Sequence, residues 1–157
     1  MDEILSIVKS DCGFGSWKNI AVSIWHGQLT LAHIPMLRNE WTAVQRASRD
    51  GFGVITIVTP EAPMVAPDAR KPLSELYESF GQTLKGASVV VQASGMKGTA
   101  ARMIISTLQL VARPPYPMDA HDSIKHGAEW LQSKVGQVDA AKALETLFSS
   151  YEQRRTS

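Results

Sequence analysis

The chain has 157 residues, 44% of them apolar and 20% charged, with 16 Lys and Arg against 15 Asp and Glu. That length fits one domain, able to bury roughly 68–70% of its unfolded surface without a disulfide or metal staple. The net charge of +1 gives no electrostatic footprint for nucleic acid or an anionic membrane, and the single cysteine, Cys12, excludes an internal disulfide framework and a multi-cysteine zinc site.

Ile4 to Lys9 reads as a short strand, Cys12 to Ser16 as a Gly-rich turn, and Asn19 to His26 as a second strand that alternates Ile20, Val22 and Ile24 with Ala21, Ser23 and Trp25. The two strands suggest a hairpin with a longer loop than a two-residue turn. From Pro35 to Arg49 the period becomes helical through Leu37, Trp41, Val44 and Ala47. Gly53 to Thr59 is a β-branched run of the kind covered on both faces. A second helix is expected from about Asp68, with Leu73, Leu76, Tyr77, Phe80 and Leu84 as its stripe and Gly86 as its C-terminal cap. Ser88 to Ala93 is the next buried-type strand, and a third helix is expected to run from the Ser94–Gly98 turn to about Arg113. Tyr116 to Ala120 is a short edge strand marked by Pro117. Asp122 or Ser123 caps a fourth helix that ends at Gly136, and a last helix follows from Asp139 to about Arg154. Strands alternating with helices after an opening hairpin predict an α/β layer with a largely parallel sheet and one antiparallel partner. No apolar run approaches a membrane span, and the acidic start Met1-Asp2-Glu3 is unlike a secretory signal, so the expected location is cytoplasmic.

Three segments carry a family resemblance. Ile24-Trp25-His26-Gly27-Gln28-Leu29-Thr30 takes a strand through W-x-G toward a helix, and Pro67-Asp68-Ala69-Arg70 opens the second helix. Pro114 to Leu131 couples a Pro-containing strand to a helix with Ala128-Glu129-Trp130-Leu131. With the element order, these resemble the STAS-like family, the fold of the anti-sigma-factor antagonists, over residues 1–136. Residues 137–157 then form an added helical extension, packed on the same domain or on a partner chain. The resemblance implies a central four- to five-stranded mixed sheet with helices mainly on one face. It also implies a regulatory or ligand-sensing module that binds rather than catalyses. The antagonists carry a phosphorylatable serine at the start of the helix after the third strand; here Pro60 to Asp68 contains no Ser or Thr, so that switch transfers to no residue.

The chemistry-bearing residues give two binding readings. Gly95, Lys97, Gly98 and Thr99, with Arg102 on the helix that follows, could hold an anion at a helix N-terminus. The stretch matches neither phosphate-loop pattern, and glycines that merely permit a tight path are the favoured, plainer reading. The third helix spreads Ile105 and Leu110 beyond one stripe, and Trp25 stands out of phase with its strand's aliphatic residues. These three are the candidate surface for a protein partner or a second copy, against the plainer reading of cover within the chain. His26, His33, His121 and His126 lack metal-ligand spacing, so no metal or cofactor is expected. Cys12 has His26 as its nearest histidine on the neighbouring strand, but no local motif supports a nucleophile. The expectation is a non-catalytic interaction module, a homo-oligomer or one with a protein partner. The second reading is a domain that binds a lipid-like or anionic small ligand.

Overall fold

The computed structural model describes residues 3–92 and 116–156. Its sheet has six strands in sequential order: β1 (Glu3–Val8), β2 (Cys12–Trp17), β3 (Ile20–Trp25), β4 (Phe52–Val58), β5 (Leu84–Val91) and β6 (Met118–His121). β1, β2 and β3 form an antiparallel meander, and β3 to β6 are parallel. The described helices are α1 (Ile34–Ala47), α2 (Arg70–Ser79), α3 (Ile124–Val135) and α4 (Ala140–Arg154). Single 3-10 turns, Leu31–His33 and Pro67–Ala69, lead into α1 and α2.

The mixed α/β class holds, but three details change. Cys12 to Trp17 is a strand rather than a turn, so the sheet has six strands instead of four or five. It is joined to β3 by the two-residue turn Lys18-Asn19, with Lys18 at φ 51°. Its glycines serve packing: a Cβ on Gly13 would lie 2.4 Å from the Tyr151 ring, and one on Gly15 would lie 2.3 Å from the Ile4 carbonyl oxygen. The second helix stops at Ser79, because Leu84 and Gly86 already belong to β5. Finally, the described helices divide between the two faces of the sheet.

Strand alternation dictates that division. Phe14, Ala21, Trp25, Phe52 and Val54 share a core with Leu37, Trp41 and Val44 of α1 and Leu76 and Tyr77 of α2. The opposite set, Ile20, Val22, Ile24, Ile55, Ile57 and Val90, packs on Ala128 and Leu131 of α3 and Leu144, Leu147 and Tyr151 of α4. Helix ends follow their sequence signals. The Ser123 hydroxyl accepts the His126 N–H at 3.1 Å, and Gly136 ends α3 at φ 72°. Among the described residues no helix is long and apolar enough to cross a membrane.

Candidate functional site

Because β3 to β6 run parallel, their carboxyl ends share one edge of the sheet, the place where open α/β sheets bind their ligands. The β1–β2 turn, residues 9–11, lies at the same edge, as does the last turn of α4. There the Tyr151 hydroxyl donates to the Lys9 carbonyl (2.8 Å), and the Arg155 guanidinium donates to the Ser10 carbonyl through Nε (2.9 Å) and an Nη (2.6 Å). The His26 and Gly27 N–H groups both donate to the Asp11 carbonyl, at 2.9 and 2.8 Å.

His26 is the centre of this edge. Its side chain is 6% exposed and stacks on Tyr151, with ring centroids 6.0 Å apart. Nδ1 faces the Glu61 carboxylate from the β4–α2 connection, and Nε2 faces the Glu152 carboxylate from α4. Thr59 donates its hydroxyl proton to the Trp25 carbonyl (2.9 Å), which leaves its oxygen as an acceptor 3.3 Å from His26 Nδ1. The Glu61 carboxyl is held below its ordinary value, first by its own backbone N–H and then by His26.

A second cluster lies beside it. Donor atoms of Asp11, Cys12 and His33 fall within 4.8 Å of one another. Thr30 N–H donates to His33 Nδ1 at 3.0 Å, so that lone pair is occupied and the neutral ring carries its proton on Nε2. In that tautomer His33 offers neither a free nitrogen to a metal nor a base to a thiol. Cys12 is wholly buried, and desolvation followed by the Asp11 charge pushes its thiol up to about 11. The cluster therefore has the residue types of a metal or nucleophile site, but in the metal-free chain its thiol is protonated and the His33 Nδ1 lone pair is taken.

A third histidine sits between β5, β6 and α3. His121 Nδ1 lies 2.8 Å from Ser88 Oγ, and its Nε2 lies 3.9 Å from an Asp119 oxygen. The order is that of a Ser–His–Asp relay, but Ser88 has no exposed surface. A Cβ on Gly127 of α3 would come within 2.7 Å of its hydroxyl, which seals Ser88 under that helix against any substrate.

Several residues singled out in the sequence fare differently. Gly95, Lys97, Gly98, Thr99, Arg102, Ile105 and Leu110 lie outside the described residues. Trp25 is corrected: it is 2% exposed, packs edge-on against Phe14 and His33, and donates Nε1–H to Ser23 Oγ at 3.0 Å. It is core under α1 and presents no surface to a partner. His26 turns to Glu61 and Glu152, while Cys12 is grouped with His33. Glu61, Glu152 and Tyr151 escaped sequence reasoning as site residues, and His33 entered it only as one of four scattered histidines; the one local signal was a polar His26 closing an apolar strand.

No family model and no curated protein matches this sequence. Among solved structures, the chain is similar to the crystal structure of an uncharacterized protein of the DUF3478 family with a SpoIIAA-like fold, from Shewanella loihica PV-4. The superposition covers 82% of this chain and 94% of that one, with TM-score 0.53 and 11% identity. The fold is SpoIIAA-like. This is the STAS-like architecture that the element order implied, and at that identity the likeness is one of fold.

Proposed function

We propose that this domain is a regulatory interaction module that works by binding, to a second copy or to another protein, rather than by catalysis. The observation that carries the reading is the state of the chemistry-bearing side chains within a SpoIIAA-like fold. Cys12 is held as a buried thiol, the His33 lone pair is taken, Ser88 is sealed, and both nitrogens of His26 face carboxylates of the same chain. These four groups are committed to holding the fold, which favours a surface-mediated role. The small-ligand reading rests on Gly95 to Thr99 and Arg102, and no contact among the described residues favours it.

Native mass spectrometry of the full chain, purified under mild conditions, tests the proposal. A defined oligomer or a retained protein partner supports it. A reproducible small added mass, lost on denaturation, overturns it in favour of a ligand carrier. A bare monomer that captures no protein overturns it too.

A further inference from the structure

The carboxyl edge holds a charge arrangement that the interaction reading does not use. We propose that His26 is a proton-dependent clasp, tying the last turn of α4 to the sheet when its ring is doubly protonated and releasing Glu152 when the second proton leaves.

The argument counts protons on nitrogens. A neutral imidazole has one N–H and one lone pair; only the imidazolium has two N–H groups. Nδ1 faces two acceptors, the Glu61 carboxylate and the Thr59 oxygen, whose own proton is spent on the Trp25 carbonyl, so Nδ1 must carry a proton. Nε2 faces the Glu152 carboxylate, which accepts only from N–H. With both carboxylates ionised, the arrangement is satisfied in full by the cation. The two carboxylates lie on opposite sides of the ring, so a metal on one nitrogen would reach only one of them.

The surrounding groups fit this charge state. Glu61 approaches from the β4–α2 connection, and Glu152 and Arg155 come from α4. Tyr151 stacks on the ring with its hydroxyl pushed up to about 12, mainly by burial, so it remains neutral. From the β1–β2 turn come Lys9 and Asp11, and Arg155 bonds the Ser10 carbonyl there. Two carboxylates against an imidazolium and a guanidinium balance at zero. When the ring becomes neutral, Nδ1 keeps its proton for Glu61 and Thr59, and the Nε2 lone pair is left facing a carboxylate. Glu61, although 57% exposed, keeps its N–H donor, whereas Glu152, 34% exposed, has lost its donor and turns into water. Tyr151 and Arg155 still hold the helix, so the clasp loosens its end without detaching it.

The test is amide exchange of the full chain between pH 5.5 and 8.5, with protection factors corrected for intrinsic rates. In the wild type, protection of residues 152–155 should fall about three- to fivefold as pH rises, the scale of a partly exposed ion pair. Glu152→Gln can donate its amide N–H to the Nε2 lone pair, so it should flatten that change to within about twofold. Protection of the same length of α3 serves as the internal reference and should stay level in both proteins. A wild-type profile with no pH dependence, or one that Glu152→Gln reproduces, overturns the clasp. If Glu152→Gln fails to fold, Glu152→Ala is read instead, and it should show the low protection at every pH; restored protection at low pH would overturn the proposal.

Discussion

His26 and His121 are both largely buried, and their surroundings offer them opposite sets of partners. At the carboxyl edge, two carboxylates and a hydroxyl oxygen present only acceptors to His26. Between β5, β6 and α3, His121 has Ser88 Oγ at 2.8 Å and its nearest carboxylate 3.9 Å away. Desolvation dominates there and lowers His121 below its ordinary value, with Asp119 opposing only in part. Asp119 on the Nε2 side favours a proton on that nitrogen, so the Nδ1 lone pair accepts from Ser88. One residue type thus meets only acceptors at a sheet edge and a hydroxyl within a layer. The difference lies in whether carboxylates from other segments reach the ring.

The comparison can be broken at several strengths. Removing the ring that supports His26 is the most severe. Tyr151→Ala should cost about 3–5 kcal/mol in chemical denaturation, because it leaves a cavity beside Gly13 and loses the bond to the Lys9 carbonyl. A loss under 1 kcal/mol would mean that α4 does not depend on that contact. Filling the space over the other histidine is milder. Gly127→Val would press on Ser88 Oγ and Val90 and should cost about 1–3 kcal/mol, read by the same titration.

Acid sharpens the contrast with a smaller effect. With His121 lowered in the folded state, the unfolded chain takes up its proton first as pH falls. The stability contributed by the neutral ring is complete above about pH 6.5 and is lost as pH drops below it. The stability difference between wild type and His121→Gln should therefore shrink from pH 7 to pH 5. A difference that stays constant or grows would contradict the assignment.

Much of the frame was legible in the sequence because it rests on local signals. The Gly53–Thr59 run, the helical period through Leu37, Trp41 and Val44, and the Ser123 and Gly136 caps act within a few residues. β2 was lost because Gly13 and Gly15 look like turn residues in isolation. Their reason is the Tyr151 ring and the Ile4 carbonyl, which approach from elsewhere in the fold. The alternation of Trp25 sets it on the face opposite Ile20, Val22 and Ile24, but alternation alone does not say whether that face is open or covered; α1 covers it. The His26 clasp joins residues 35 and 126 positions apart, and no period or spacing encodes such a meeting.

The most direct measurement is a long-range 1H–15N spectrum of the histidine rings of the full chain at pH 5.5. Opposed environments predict His26 with both ring nitrogens protonated and His121 as the neutral Nε2–H tautomer in the same sample. A neutral His26 beside a charged His121, or the same state for both, would contradict the account.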